Sequence, residues 1–535
     1  MAQDVAKIAK RLESLQSLRA IHEQVWQDCF DYTYPIRGSG LQQSQYTAQQ
    51  AQSKKAQILD STGTDSARIL ASAIMSGLTP ANSRWFQLDV GQETEDERRW
   101  LDDAATVLWE NIHSSNFDAA GFEACLDVVC AGWFALYIEE DAERGGLSFQ
   151  QWPISGIFCA SSKAGGKIDS VYRPFELSAE QAVVEFGEDN VSPKTAELAK
   201  TKPDEKLQFI HAIYPRTPHA VGAKLAKNLP FASCKIELSA KKIVNESGYH
   251  EFPLTVPRWM LIPNSAYGVG PVADALPDMK MLNELCRMEL NAADMAISGM
   301  WIAEDDGVLN PRTVKVGAKK IIIANSVDSM KSLTPGSNFD VSFTIKKELQ
   351  AAIRKTLMAD QLQPQDGPAM TATEVHVRVN LIRQLLGPVY GRLQAEYLQP
   401  LIERCFSLAY RAGVFTPPPE SLAGREFSIK YISPLARAQK MEEVTAIERL
   451  YAGAGQVSAA RGNTDVMDNI NDDEAIRLTS EALGVPSKVI RDSKTVEKLR
   501  ADRAEAQQAM QQQAMMQPVI EEGGKALAQK MVAQA

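Results

Sequence analysis

The stretch that decides the fold runs from Met370 to Lys440. It contains three short sequences, MTATEV at 370–375, LGPVY at 386–390 and YISPLARAQK at 431–440. Thr371 and Glu374 stand three residues apart, which is the spacing of the N-cap and N3 residues in a capping box. The stretch carries no pattern of a catalytic, cofactor-binding or metal site, and it predicts a long helix that begins at this cap.

Apolar residues recur every three or four positions from Val375 to Gly413. This period indicates a helix on the order of 60 Å long at about 1.5 Å per residue. Proline inside a helix removes a backbone N–H and clashes with the preceding turn. We therefore expect the helix to bend at Gly387 and Pro388, and again at Pro400.

A loop comes directly before this helix. The pattern from Ile345 to Asp360 predicts a helix, and residues 361–370 then break it with two prolines and a glycine. The polar and turn-forming residues of this loop are Gln361, Gln363, Pro364, Gln365, Asp366, Gly367 and Pro368.

The composition is that of an ordinary globular protein. The chain has 535 residues, of which 44% are hydrophobic and 23% charged, and its formal net charge is −10. This length favours several domains or one elongated subunit. An acidic chain is a poor candidate for holding nucleic acid through phosphate neutralisation, because that mode of binding needs clustered lysine and arginine.

The seven cysteines are scattered and include no C-x-x-C pair, so we interpret them as reduced thiols in the core of an intracellular protein. The six histidines lack the spacing of metal ligands, and no metal or other cofactor is expected. The N-terminus does not resemble a signal peptide. The most apolar run, Val128 to Ile138, is about half the length of a membrane span.

The rest of the chain mixes helical and strand patterns, which predicts a mainly helical α+β fold. Residues 5–30 form a helix with one apolar stripe, made by Val5, Ile8, Leu12, Leu15, Leu18, Ile21, Val25 and Cys29. Further helices are predicted at 53–77, at 94–118, from Ser178 to about Phe186 behind a capping box, and from Pro271 to about Ile297. Strands are predicted at 83–88, in a hairpin from Val128 to Gln151, and at 207–214, 234–238, 258–262, 321–323 and 341–343.

Two features suggest chemistry but have simpler explanations. Gly268–Ala273 matches the G-x-G-x-x-A pattern of dinucleotide sites, but no strand directly precedes it and the acidic candidate Glu289 falls inside the same helix. A glycine turn before a proline-started helix is the favoured interpretation. Paired acidic residues such as Asp102 and Asp103 are more typical of solvated faces than of Mg²⁺ sites.

Several arginines follow the long helix, and they are open to two interpretations. They could meet phosphate, or they could form ion pairs with carboxylates of a neighbouring subunit, which is the favoured interpretation. These residues are Arg378, Arg383, Arg392, Arg404 and Arg411.

Six segments together resemble the head-to-tail connecting (portal) protein family of short-tailed, T7-like bacteriophages. Each motif is weak alone, and their order and spacing make the resemblance specific. They lie at residues 60–63 (DSTG), 77–86 (GLTPANSRWF), 267–278 (YGVGPVADALPD), 370–375, 387–394 (GPVYGRLQ) and 433–437 (SPLAR).

The resemblance implies a non-enzymatic ring of about twelve copies at one capsid vertex, with a channel for double-stranded DNA. The implied partners are the terminase large subunit, scaffolding and major capsid proteins, tail adaptor or tail tube proteins, and internal core proteins. The implied location is the virion, with the host cytoplasm during assembly.

The family fold has a wing, a stem, a clip and a crown. On this sequence the resemblance implies a wing at 1–175 and 301–345, stem helices at 176–200 and 267–300, and a β-rich clip at 201–266. A helix, a tunnel loop (361–370) and the long kinked helix would occupy 346–412, with a connecting strand at 413–435. The crown and a Gln/Met/Ala-rich tail would follow at 436–535.

Two alternatives stay open. One is another phage structural ring or tail-adaptor protein, which would lack the loop and the kinked helix. The other is an enzyme built on Gly268–Ala273. The tail around residues 507–517 is equally consistent with a helix packed against its own copies and with partial disorder.

Overall fold

The computed structural model describes most of the chain, with gaps at several loops and at the C-terminus. The described residues are 2–41, 48–91, 94–141, 144–163, 165–216, 225–298, 300–303, 330–333, 339–362, 387, 389–422, 427–431, 434–462, 465–483, 485, 489, 491 and 495–508. They fall into two compact units. One comprises residues 1–83 and 108–414, and the other comprises residues 84–107 and 415–535.

Helices dominate both units, as the sequence predicts. Their bounds are α1 Ala2–Asp31, α2 Ala48–Ala56, α3 Thr62–Leu78, α4 Glu95–Ser114, α5 Phe117–Ala131, α6 Ala179–Phe186, α7 Pro193–Thr201, α8 Pro271–Ser298, α9 Phe339–Thr356, α10 Ala359–Leu362, α11 Gln399–Arg411, α12 Pro434–Arg461 and α13 Asp472–Leu483. Residues 495–508 are also helical. No described helix is both long and apolar enough to cross a membrane.

The strands form small antiparallel sheets. Their bounds are β1 Phe86–Asp89, β2 Ala135–Glu140, β3 Leu147–Trp152, β4 Phe158–Ala160, β5 Ser170–Ser178, β6 Lys206–Pro215, β7 Phe231–Glu237, β8 Lys242–Tyr249, β9 Leu254–Thr255, β10 Met260–Leu261, β11 Gly268–Val269, β12 Met300–Ala303, β13 Met330–Leu333 and β14 Ser428–Tyr431. The largest sheet has the order β4-β5-β6-β7-β8, and β3-β2-β9 form a second one. The first of these sheets joins strands from the predicted wing and the predicted clip.

The N-terminal helix α1 packs its first half on the five-stranded sheet. Val5, Ile8, Leu12 and Leu15 share a buried cluster with residues of β4 to β7. The predicted stripe is wrong at Leu18, Ile21 and Val25, which are exposed, and is confirmed again at Cys29, which is buried. The buried face continues instead through Arg19, Trp26 and Phe30.

Arg19 explains why the stripe fails. Its guanidinium donates to the backbone carbonyls of Ile154, Ser155 and Ile157 at 2.6–2.9 Å and pairs with Glu23. The side chain also lies 3.9 Å from the centre of the Phe158 ring. A fully satisfied arginine can replace an apolar residue on a buried face, because its polar atoms keep their hydrogen bonds.

The opposite face of the sheet is covered by α6 and α7. The capping box predicted at Ser178 is confirmed, since Gln181 N donates to Ser178 Oγ and Ser178 N donates to Gln181 Oε1. The α7 N-terminus is held by the buried Glu237 of β7, which accepts from Ser192 N, Ser192 Oγ and Thr195 Oγ1. Ala179, Ala182 and Phe186 pack with Phe209 beneath them.

Three predicted element bounds are wrong. The helix predicted at 53–77 is divided at Asp60, whose carboxylate accepts from Thr62 N at 2.9 Å and starts α3. The run Val128–Ala131 is the last turn of α5, so the hairpin begins at Ala135. Residues 341–343 belong to α9, where Ser342 and Lys346 both bond to Glu289 of α8. The strand predicted at 321–323 lies outside the described residues.

The second unit is built around a short sheet and the C-terminal helices. β1 and β14 pair from Phe86↔Tyr431 to Asp89↔Ser428. Trp100 Nε1 donates to Thr416 O at 2.9 Å and its ring lies near Phe415. The described helices that follow are joined by Tyr451–Asp472 and Asp473–Arg500 bonds.

All seven cysteines are buried and none is in a disulfide, so their predicted position in the core is confirmed.

Candidate functional site

The start of the predicted loop is the first part of the candidate site. Helix α9 ends at a turn in which Met358 has a φ of +56°, and α10 begins directly after it. Leu357 and Ala359 anchor this turn in the core. Gln361 and Leu362 are helical, so the chain leaves the helical conformation at least two residues later than predicted.

Most predicted site residues lie outside the described part of the chain. These are Gln363, Pro364, Gln365, Asp366, Gly367, Pro368, Thr371, Glu374 and Pro388. Gly387 is helical, as are residues 389–393. The loop, its cap and the kink at Gly387 and Pro388 stay predictions.

The long helix contains an irregular turn directly before Pro400. Residues Gln394–Leu398 are π-helical, and Gln399 N donates to Gln394 O across five residues. Pro400 is the second residue of α11. In a regular helix its ring would meet the carbonyl four residues earlier, and a wider turn relieves that clash. The kink at Pro400 stays a prediction, and the π turn gives it a physical basis.

The π turn is held by a buried ion pair. Glu396 Oε1 accepts from Arg258 Nη2 at 2.6 Å, and Oε2 accepts from both Nε and the backbone N of Arg258 at 3.1 Å. The two side chains are 6% and 13% exposed. One turn earlier, Arg392 donates to the carbonyl of the next residue, Trp259, at 2.9 Å. The segment 258–259 is therefore bonded to two successive turns of the long helix, through Glu396 and Arg392.

The end of the helix is held by a second carboxylate. Glu251 accepts from Arg404 Nη1 at 2.9 Å and from Arg411 Nη1 at 2.8 Å. Burial alone would raise the pKa of Glu251, but hydrogen bonds and charge from Arg411 and Arg404 lower it overall. Both arginines thus pair within their own chain, whereas the favoured interpretation placed their partners on a neighbouring subunit. Arg378 and Arg383 lie outside the described residues.

An adjacent face of the helix is apolar and buried. Leu393, Tyr397, Leu401 and Cys405 are at most 1% exposed. The Tyr397 ring meets Phe134 edge-on at 5.1 Å between centroids. Burying a side chain of this size contributes about 1.5–3 kcal/mol, so this face carries much of the attachment.

Two of the motifs behind the resemblance meet on this helix. A Cβ atom on Gly77 of α3 would lie 2.1 Å from the Tyr390 hydroxyl oxygen. Glycine at 77 thus lets the tyrosine hydroxyl lie against the helix backbone, and a larger residue there would require the Tyr390 side chain to move. A similar contact joins Gly63 of α3 to Met279 of α8, whose sulfur would be 2.8 Å from an added Cβ.

The space beside Gly268 and Gly270 is occupied by backbone atoms of other residues. A Cβ on Gly270 would lie 2.5 Å from Val129 O, and one on Gly268 would lie 2.5 Å from Gly132 O. Gly132 itself has a φ of +86°. The preceding strand β10 pairs back on β11 as a hairpin. A pyrophosphate has no room against these atoms, which removes the geometric basis of the dinucleotide interpretation.

The acidic pairs considered as ion sites are engaged in local bonds. Asp102 pairs with Arg84 at 2.5 Å. In a second acidic run at 139–141, Glu139 accepts from Gln150 at 3.0 Å. The described residues contain no group of three or more histidine, cysteine or carboxylate side chains placed to hold a metal ion.

Sequence reasoning missed the residues that hold the long helix. Arg258 and Glu396 are 138 positions apart, and Glu251 and Arg411 are 160 apart. No local pattern connects such residues. Pro400 was the one local signal, since it marked the turn in which Glu396 lies.

Known proteins resemble this chain along almost its whole length. Residues 5–490 match the family described as bacteriophage head to tail connecting protein. The probable portal protein of Bordetella phage BPP-1 is 26% identical over 506 residues, which cover 90% of this chain and 88% of that protein. The portal protein of Salmonella phage epsilon15 is 27% identical over 526 residues, with 94% and 91% covered. The portal protein of Escherichia phage T7 is 21% identical over 555 residues, with 100% and 95% covered.

Proposed function

The chain belongs to the bacteriophage head to tail connecting protein family, and from that premise we propose that it is the portal subunit of its virion. Copies of it, about twelve, would form a ring at one capsid vertex, and the ring would be the channel through which double-stranded DNA is packaged and ejected. The observation that carries the proposal is the family match over residues 5–490, together with relatives that are named portal proteins.

The charge distribution supports a channel through which DNA slides. Duplex DNA carries about one negative charge per 1.7 Å, so a channel lined with free arginines would hold it tightly. The described arginines of the long helix are engaged within the subunit, Arg392 by a carbonyl and Arg404 and Arg411 by Glu251. The net charge of −10 also disfavours tight binding of DNA.

In this proposal the tunnel loop at 361–370 is the element that faces the DNA. Its glutamines, Asp366 and prolines would offer short polar contacts without a fixed positive charge. The π turn and the Arg258–Glu396 pair would hold the following helix in place behind the loop.

The proposed partners follow from the proposed role. The ring would seed capsid assembly with scaffolding and major capsid proteins, dock the terminase large subunit during packaging, and then hold tail adaptor or tail tube proteins. Internal core proteins would meet its inner side. The subunit would have no enzymatic activity of its own, and it would pass from the host cytoplasm to the portal vertex of the virion. The wing, stem, clip and crown divisions given above belong to the same proposal.

Particle shape tests the proposal most directly. Purified full-length protein, observed by negative-stain microscopy and native mass spectrometry, is expected to form closed rings with a central hole and one dominant copy number. Monomers or open filaments at every protein and salt concentration would overturn it. A closed ring that supports no DNA packaging with its terminase would favour the tail-adaptor alternative.

Deleting the loop separates its role from the role of the ring. Because Gln361 and Leu362 are helical, the deletion should cover residues 363–369 only. Rings should still form, while DNA packaging or retention should fail. Loss of the ring would show that the loop is structural. As a control, truncation after Arg500 keeps the Arg500–Asp473 pair and should leave both ring and packaging unchanged.

A further inference from the structure

The segment 251–259 is bonded to the long helix near both ends of the segment. Arg392 donates to the carbonyl at its far end at 2.9 Å. Arg404 and Arg411 donate to Glu251, its first residue, at 2.9 and 2.8 Å. The segment therefore runs in the direction opposite to that of the helix, and the three arginines must point to the same side of the helix.

An uninterrupted α-helix would not place these arginines on one side. Each residue of an α-helix advances by about 100° around the axis. Arg404 lies 12 positions and Arg411 lies 19 positions after Arg392. In a regular helix they would therefore point about 120° and about 100° away from Arg392. Side chains so far apart around a helix cannot all face one extended segment.

The π turn at 394–398 supplies the missing rotation. Gln399 N donates to Gln394 O across five residues, where an α-helix would span four. The turn therefore takes up one extra residue, and every residue after it is set back by about 100°. With this offset Arg404 and Arg411 point within about 20° of Arg392, as their bonds to the segment require.

The apolar face of the helix needs the same offset. Leu393, Leu401 and Cys405 are at most 1% exposed, and they lie on both sides of the turn. In a regular helix Leu401 and Cys405 would point about 80° and about 120° away from Leu393, whereas the extra residue brings both to within about 20°. A polar and an apolar set of contacts thus indicate the same one-residue offset independently.

We propose that the π turn is a register lock, meaning one extra residue that lets a single helix bind the segment 251–259 at both ends while its apolar face stays buried. If the turn closed to α-helical geometry, the helix before it would rotate by about 100° relative to α11. Arg392 would then leave the segment, or Arg404 and Arg411 would leave Glu251. The closed turn is the alternative conformation that the lock prevents.

Pro400 keeps the register lock in place. In a closed turn its ring would meet the carbonyl of Glu396, four residues earlier. A proline alone does not require an extra residue, however, because helices also accept proline by bending. The register of the contacts is therefore the reason for the extra residue, and the two causes can be separated by mutation.

Replacing the proline separates them. In full-length Pro400→Ala, crystallography or electron cryomicroscopy should still show the bond from Gln399 N to Gln394 O, and the thermal midpoint should not fall. A regular α-helix through residues 394–399 in this variant would overturn the proposal, because the proline alone would then account for the turn.

Two single-residue deletions in the Pro400→Ala background test the register. Gln399 and Glu403 form an exposed hydrogen bond with each other, so either deletion removes the same contact. Deleting Gln399 removes the extra residue and leaves a regular helix in which both sets of contacts are still aligned. Its thermal midpoint, and the amide hydrogen exchange of the helix, should match those of Pro400→Ala.

Deleting Glu403 is the matched control. It shortens the same helix by one residue beyond the turn, so the arginines that bind Glu251 rotate by about 100° away from the residues before them. Closing the π turn would realign these arginines but would turn Leu401 by about 80° out of the apolar face, so one set of contacts is lost in either case. Hydrogen exchange across residues 389–411 should be faster by about tenfold or more than in the other deletion.

Two results would overturn the proposal. One is a Gln399 deletion that does not fold or is as unstable as the Glu403 deletion, and the other is a Glu403 deletion that is as stable as the Gln399 deletion. Either would show that the position of one residue does not decide how the helix is attached. Because the contacts compared lie within one subunit, the outcome is independent of the ring and the channel proposed above.

Discussion

Glu396 binds Arg258 through three hydrogen bonds from inside a π-helical turn. One of the three donors is the backbone N–H of Arg258, so the carboxylate fixes the main chain of the 258–259 segment as well as the side chain. The irregular turn before Pro400 and the attachment of the long helix are thus one feature of the molecule.

Removing this carboxylate should loosen the long helix. In Glu396→Ala the Arg258 guanidinium, 6% exposed, stays buried without a partner, which costs about 3–5 kcal/mol. The thermal midpoint should fall, and amide hydrogen exchange across residues 389–411 should accelerate. Glu403→Ala, which removes only an exposed bond from Gln399, should change neither. Equal exchange in the two variants would contradict the assigned role.

Acid should weaken the end of the same helix through Glu251. Its pKa is lowered in the folded protein, so its contribution to stability is complete above the unfolded value of about 4.3 and is lost as the pH falls through the folded value. Thermal midpoints measured from pH 7 down to pH 3 should therefore fall less steeply in Glu251→Gln than in the wild type, from a lower starting point. Parallel curves would show that Glu251 has the same pKa folded and unfolded.

The contact between Gly77 and Tyr390 predicts a rescue. Gly77→Ala would place a methyl group 2.1 Å from the tyrosine hydroxyl and should destabilise by about 1–3 kcal/mol, although alanine is otherwise preferred in a helix. Tyr390→Phe removes the clashing oxygen, after which the nearest ring atom is 3.4 Å away. The double variant should therefore be less destabilised than the sum of the single ones, as measured by chemical unfolding. Simple additivity would argue against the contact.

Gly132 should be the least replaceable glycine in the first unit. An added Cβ would lie 2.2 Å from the Val269 carbonyl carbon, in addition to the strain of a φ of +86°. Gly145 has a similar φ of +72° but nothing within 4 Å of an added Cβ. Gly145→Ala should cost about 1 kcal/mol, and Gly132→Ala should cost several times more or prevent folding. Similar thermal midpoints for the two variants would show that the close approach is not rigid.

Sequence patterns were most informative where a structural signal is local. The box at Ser178 and Gln181 needs only four residues, and α8 begins at Pro271 as its first-turn proline predicts. Sequence patterns gave wrong predictions where the folded environment decides which side chains are buried. Leu18 and Ile21 continue the helical period of α1 but are exposed, because Arg19 reaches three carbonyls that only the folded chain brings to it.

The same distinction applies to the candidate sites. Pro400 indicated an irregular helix, since a missing N–H is a property of one residue. That Glu396 would lie in this turn and face Arg258 depended on segments 138 residues apart.

The sequence by itself determined most of the described helices, the capping box at Ser178, the burial of the cysteines and the family to which the chain belongs, because each rests on short-range stereochemistry or on the order of motifs. Only the tertiary structure decided which charges meet. Ion pairs such as Glu251 with Arg404 and Arg411 join distant segments, and their energies depend on burial and geometry that no local pattern encodes.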